Sequence, residues 1–364
     1  MALLNWERSK RNRNEYDIRR PNHESVTTTN MNKLKSILSC SLLLSINCGW
    51  INSIHAQNDR CDPAKVVTAE ACAKCHVNEV QAWKKTPHFR TFDELGRRPE
   101  AQIICEKMGL RSIKRSDVCI DCHFTTQAVN DRNKPVSGIS CESCHGAAKD
   151  WINVHNDYGG PTATRESESA GHAATRFASS VEFGMHNTRN LYSIASSCFN
   201  CHTVPNEDLV NTGGHRAGSD EFELVSWSQG QVRHNFLRIG GQANATSEPE
   251  RLRVMYVVGL IADLEYSTRA TAKATEKTTY GTAVANRAAR AAVKLYEIQQ
   301  KIQDEHVQRA LQAFAGAELR LNSSESLLAI ASEIQRAGET FAEAADGTRL
   351  AVLDPMLPNP SQYR

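Results

Sequence analysis

The chain has little of what usually fills a protein interior. Of its 364 residues, 40% are hydrophobic and only 6% are aromatic. A compact domain this poor in apolar matter needs something else at its centre. Charge of one sign is lacking too: 43 basic against 41 acidic residues leave a formal net charge of +2, which argues against a nucleic-acid-binding surface. After residue 56 no run is long and apolar enough to cross a bilayer, so no integral membrane segment is expected in the mature chain. No strand pattern stands out. These absences predict a mainly α protein with an interior supplied in part from outside the polypeptide.

The apolar run that does exist lies near the N-terminus. Met31-Asn-Lys-Leu-Lys carries two lysines, leads into an apolar Ser- and Leu-rich stretch over 37–54, and is followed by His55-Ala56 at a small-residue cut. This is the pattern of a secretory signal peptide over 31–56, and it points to a periplasmic protein. A polar prefix, 1–30, is unusual ahead of such a leader and reads as an upstream extension from a misplaced start. The competing reading of 37–54 is a buried apolar helix.

Cysteine is what the chain has in quantity. Eight of its 12 cysteines fall in four copies of one pattern: Cys72-Ala-Lys-Cys75-His76, Cys119-Ile-Asp-Cys122-His123, Cys141-Glu-Ser-Cys144-His145 and Cys198-Phe-Asn-Cys201-His202. Cys-x-x-Cys-His is the attachment signature of c-type haem. Two thiols one helical turn apart add to the two vinyl groups of a porphyrin edge, and the adjoining imidazole becomes the proximal ligand of the iron. By chance about 0.01 such pentapeptides are expected in a chain of this length. Zinc would use paired cysteines but does not need a histidine after every second one. Four covalently bound haem c groups are therefore expected within 72–202, and they would supply the missing interior. Cys40 and Cys48 leave with the leader. Cys61 and Cys105 remain, either as a disulfide in an oxidising compartment or as two buried thiols.

The candidates for the opposite face of each iron are His88, His155, His172, His186, His215 and His234, with Met108 and Met185 as alternatives. The order of motifs, Trp83 and His88 behind the first of them, and the run "CESCHG" together resemble the tetrahaem cytochrome c-554 family over roughly residues 65–240. The resemblance implies that His88 crosses to the third haem, His155 to the first and His234 to the fourth, with the second haem five-coordinate. His215, in "NTGGH", is an addition to that pattern: it could serve the fourth haem in place of His234, or cap the second. His172 and His186 sit in a Ser- and Ala-rich connection, and residues 156–180 read as loose chain.

The tetrahaem region is expected over 57–240, a helical region over 241–350 and a tail over 351–364. Ser247-Glu248-Pro249-Glu250 is a helix start, followed by Leu252, Met255, Leu260 and Leu264; Ala291, Leu295, Ile298 and Ile302 mark a second helix, and Leu327, Ile330, Ile334 and Phe341 a third. The stripes fit a bundle or layer on the haem core, or an oligomer or partner-docking face. Two functions fit the whole. One is electron transfer between a donor and an acceptor redox protein, in the setting of nitrogen-compound respiration or oxidation that the resemblance implies. The other is an enzyme that binds or reduces a small nitrogen oxide such as NO at an open second haem held by His123.

Overall fold

The computed structural model describes residues 61–364, apart from residue 131 and the side chains of 238 and 239. The expected leader and prefix lie outside the described residues. The described residues from Cys61 to Arg364 form one compact unit, mainly α as the composition suggests.

The first half is built of short helices separated by turns: α1 (Ala69–Cys72), α2 (Val77–Trp83), α3 (Pro87–Glu94), α4 (Pro99–Lys107), α5 (Asp117–His123) and α6 (Cys141–His145). Pro87 and Pro99 each open their helix in the first turn, where a missing N–H costs nothing. Between α5 and α6 the chain forms a hairpin, β1 (Thr125–Val129) paired antiparallel with β2 (Arg132–Ser137), with Asn130 at φ 50° in its turn. The sequence hides this hairpin because "RNKPVS" carries a proline and two cations, and the strands are too short and too polar to alternate visibly.

Three further helices complete this half: α7 (Ala170–Glu182), α8 (Leu191–His202) and α9 (Glu207–Asn211), followed by the single turn α10 (Leu224–Ser228). The expectation of loose chain over 156–180 is corrected from residue 170 onward by α7. Ser169 caps it by accepting the His172 N–H, and Arg176 is tied to Glu168 by a two-pronged ion pair at 2.7 and 2.6 Å.

The second half is a bundle of four helices, α11 (Pro249–Ala272), α12 (Thr279–Ile302), α13 (Glu305–Ala315) and α14 (Ser324–Ala344), one more than the sequence pattern suggested. The extra one, α13, is capped by Asp304, which accepts the N–H groups of His306 and Val307. The tail is ordered as 3₁₀ turns over Gly347–Met356 and Pro360–Gln362.

Helix α11 is central, and it is buried on nearly every side rather than along one stripe. Its own Ile261 and Leu264, and Leu295, Ile298, Ile334 and Phe341 from its neighbours, are fully buried, each contributing about 1.5–3 kcal/mol of apolar transfer. The charges that enter this core come with partners: Asp263 with Arg287 at 2.5 Å, Arg253 with Asp354 at 2.6 Å, and Glu265 with the Tyr192 hydroxyl at 2.7 Å. Tyr192 and Phe199 belong to α8, so the helix ending in the fourth motif is also part of the bundle core.

Candidate functional site

Local structure sets up each Cys-x-x-Cys-His in the same way. The cysteines stand three apart on a helical turn, which puts both thiols on one face, and the histidine follows at the helix end. Cys119, Cys122 and His123 lie in α5; Cys141, Cys144 and His145 make up α6; Cys198, Cys201 and His202 close α8. Cys72 ends α1, and Cys75 and His76 bridge to α2. Ser140 and Ser143 form a capping box on α6. Glu142, 1% exposed, accepts the backbone N–H groups of Val67, Thr68 and Ala148, each at 2.9 Å. That carboxylate ties the third motif to the chain entering the first. Nothing in the motif itself marks position 142 for this role.

Each motif histidine faces a second imidazole. The ring centroids are 6.2 Å apart for His76 and His155, 6.4 Å for His123 and His215, 6.2 Å for His145 and His234, and 6.4 Å for His202 and His88. An imidazole nitrogen lies about 2 Å from a metal it ligates, and the ring centroid about 1 Å further, so two axial imidazoles on one iron have centroids about 6 Å apart. All four pairs have that spacing.

Second partners orient the rings. Nδ1 donates to the Ile152 carbonyl in His155 (2.6 Å), to Arg216 in His215 (2.8 Å), to Val232 in His234 (2.7 Å) and to His186 in His145 (3.2 Å). A carbonyl can only accept, so Nδ1 carries the proton and Nε2 presents its lone pair. Burial disfavours the charged form of three motif imidazoles: it pushes His123 and His145 down to about 4, aided by the neighbouring imidazoles, and His202 down to about 3, aided by His88 and Arg287. A buried guanidinium also steadies the fourth pair: Arg287 donates to the carbonyls of His202 (3.0 Å) and Ser219 (3.1 Å), and Phe222 stacks on His202 at 4.2 Å. At the first pair, Arg176 donates to the His155 carbonyl at 2.6 Å and Trp151 packs edge-on against its ring.

The thiols meet across motifs. Cys72 is hydrogen-bonded to Cys141, and Cys122 to Cys201, while Cys144 lies within electrostatic range of Cys201. The sites are thereby ordered first, third, fourth, second. Cys61 and Cys105 are both free thiols. They sit in different neighbourhoods, Cys61 near Glu142 and Cys144, Cys105 hydrogen-bonded to Cys119, and stand as two separate thiols rather than a disulfide.

The donor set fits haem and not zinc. Among the described residues no three His, Cys, Asp or Glu side chains converge on one point, whereas a structural zinc needs four. Two buried donors beside the pairs, Trp151 Nε1 next to His155 and Arg233 Nε next to His234, have no partner among the described residues. They are free to bond a group the polypeptide does not supply.

Two of the pairings implied by resemblance are corrected by this geometry. His88 faces His202 of the fourth motif, not His145. Its helix is held by Thr91, which donates to the His123 carbonyl at 2.9 Å, and its own carbonyl accepts from Ile139. His234 faces His145 of the third motif, not His202. His155 does face His76. His215 stands opposite His123, so the second motif is paired as well. His172 is drawn to Glu168 at 2.7 Å, away from the pairs. His186 lies beside His145, its ring near the Cys144 carbonyl and Ser197.

Residues 71–146 match the family Cytochrome c554 and c-prime. The matched segment holds the first three motifs, so the resemblance read from their order is borne out there, and a c-type cytochrome family implies covalently bound haem. The chain is also 24% identical over 96 residues to cytochrome c-554 of Nitrosomonas europaea, an alignment covering 24% of this chain and 41% of that relative. It therefore spans less than half the length of the relative it matches. No solved structure matches the chain.

Proposed function

We propose that the protein is a periplasmic tetrahaem c-type cytochrome that carries electrons between a donor and an acceptor redox protein. The observation that carries this reading is the set of four imidazole pairs at one spacing, each with one member in a Cys-x-x-Cys-His motif. Haem c bound there supplies a one-electron couple at each iron, and bis-imidazole ligation suits transfer rather than ligand binding.

The residues divide the work as follows. Cys72 and Cys75, Cys119 and Cys122, Cys141 and Cys144, and Cys198 and Cys201 hold the four groups covalently. His76, His123, His145 and His202 are the proximal ligands, and His155, His215, His234 and His88 their respective partners. The carbonyls and arginines around the rings fix Nε2 in place. The contacts of Cys72 with Cys141 and of Cys122 with Cys201 bring neighbouring sites close enough for exchange. Cys75 is the exposed cysteine among the motifs, and Val77 beside it is 55% exposed, which favours the first site as a port for a partner.

The alternative, reduction or binding of NO at an open second haem, requires a free position opposite His123. The placement of His215 there counts against it. The relation to the c-554 family keeps nitrogen-compound metabolism as the setting. Among the described residues no helix is long and apolar enough to cross a membrane, which suits a protein released after its leader is cut. The C-terminal stripes that could have served oligomerisation are largely spent on the bundle core.

Intact mass and haem staining of the exported protein test this reading. A chain beginning near Gln57 plus four haem masses is expected; fewer haems, or bound zinc, would contradict it. Replacing His88 by Met should perturb the spectrum of the fourth haem and leave the third unchanged.

A further inference from the structure

We infer that Glu207 is a positioning residue that fastens α9 to the loop between α11 and α12, holds His215 opposite His123, and so keeps the second haem closed to exogenous ligands. The inference rests on the reading of His123 and His215 as one axial pair.

The His215 ring takes its orientation from the local backbone, since its Nδ1 bonds to the carbonyl of the next residue. That backbone hangs from α9: Thr212 N–H donates to Asp208 O at 2.9 Å, Gly214 to Val210 at 3.1 Å and His215 to Leu209 at 3.1 Å. The imidazole therefore goes where α9 goes. Helix α9 has only five residues, far too few to persist without tertiary support.

The support comes from the C-terminal helices, at both ends of α9. At its start, one Glu207 oxygen accepts the Thr275 N–H (2.9 Å) and hydroxyl (2.7 Å), and the other accepts the Glu276 N–H (3.1 Å). At its end, Asn211 accepts the Tyr280 N–H at 3.0 Å. Between them Val210 is buried with Ala270, Ala274, Tyr280 and Val284. On the other side Gly213 is pressed so close to Met108 that a Cβ would lie 2.9 Å from its sulfur and 2.5 Å from the Leu209 carbonyl. The ligand loop is thus gripped from two sides, and Glu207, which accepts three of the polar contacts, is the main polar grip on the side of the bundle.

The other partners are held differently. His88 is part of the eight-residue α3, and His155 is braced by Arg176 and Trp151. Loss of the Glu207 contacts should therefore be felt at one haem.

The full-length, haem-loaded protein is compared with Glu207→Ala, Glu207→Gln, Thr275→Val and His215→Ala, using CO binding to the reduced form and the high-spin signal of the oxidised form. His215→Ala should show one high-spin haem and one CO per chain. Glu207→Ala should raise CO binding at that same haem at least tenfold over the parent, with the other three haems unchanged. Glu207→Gln retains an acceptor oxygen and should return most of the parental spectrum. Thr275→Val loses one of the three contacts and should shift the same signal more weakly, which keeps the inference testable if Glu207→Ala does not fold. If Glu207→Ala and Thr275→Val match the parent while His215→Ala opens a haem, Glu207 does not position the ligand. Equal disturbance of all four haems in Glu207→Ala would reduce it to a structural role. If His215→Ala opens no haem, the axial-pair reading itself fails.

Discussion

The two halves of this protein solve the problem of an interior in opposite ways. Residues 249–364 fill theirs with side chains: α11 is wrapped by aliphatic and aromatic groups, and its buried charges are matched one to one. Residues 61–235 contain a small apolar cluster around Ile113, Cys119 and Phe124, lend side chains of α8 and α10 to the bundle core, and otherwise arrange imidazoles in pairs with room for a metal between them. The bundle, with α8 and α10 packed on it, is filled by polypeptide; the rest is a set of walls. The join lies on α8, whose first turns belong to the bundle core and whose last turn is the fourth motif. The bundle reaches from there into the other half through Arg287 at His202 and through Thr275 and Glu276, which donate to Glu207 near His215, so its order is transmitted to the sites.

Removing the haems should break the comparison most sharply. A variant with all eight motif cysteines changed to serine is expected to lose resistance to limited proteolysis over 61–182 while a helical fragment that starts near Leu191 and keeps α8 and α10 on the bundle persists. Uniform digestion of both halves would show that the bundle, too, depends on the cofactors.

Next in size is a change inside the bundle. Gly338 lies against Tyr192, and a Cβ there would sit 2.0 Å from the tyrosine ring. Gly338→Ala should cost about 1–3 kcal/mol in chemical denaturation, with the spectra of the first and third haems unaltered. Tyr192→Phe is milder: it removes the hydroxyl donor of Glu265, a carboxylate 2% exposed, and should cost about 1 kcal/mol.

The smallest effect concerns pH at the first site. Two hydrogen bonds from Arg176 lead the causes that hold the Glu168 carboxyl down to about 2 from its ordinary 4.5, with His172 adding to them against partial desolvation. A depressed carboxyl stabilises the fold above pH 4.5, and that contribution is lost as pH falls from 4.5 toward 2. Since Arg176 also holds the His155 carbonyl, the spectrum of the first haem should change over that interval, and Glu168→Gln should abolish the transition. Absence of any difference between the two proteins would detach the brace from the haem.

The motifs were legible in the sequence because covalent attachment imposes a fixed local spacing, and so were the long helices, whose apolar residues recur with the helical period. The partner of each histidine was not. His88 lies close to the first motif in sequence and opposite the fourth in space, and His234 follows the fourth and faces the third; pairing across such distances is decided by tertiary contacts such as Thr91 to His123. Helix α7 was hidden because glycine, serine and threonine weaken propensity, while Ser169 and the Arg176–Glu168 pair stabilise it. Glu142 and Glu207 could not be singled out, since their acceptors' work is done for backbone N–H groups far along the chain.

The magnetic spectrum of the oxidised, fully haem-loaded protein tests the four imidazole pairs most directly. Four low-spin bis-histidine signals and no high-spin component are expected, with no CO bound on reduction. A single high-spin haem, present in the unaltered protein and binding one CO, would contradict the pairing of His215 with His123 and return the second site to the enzyme reading.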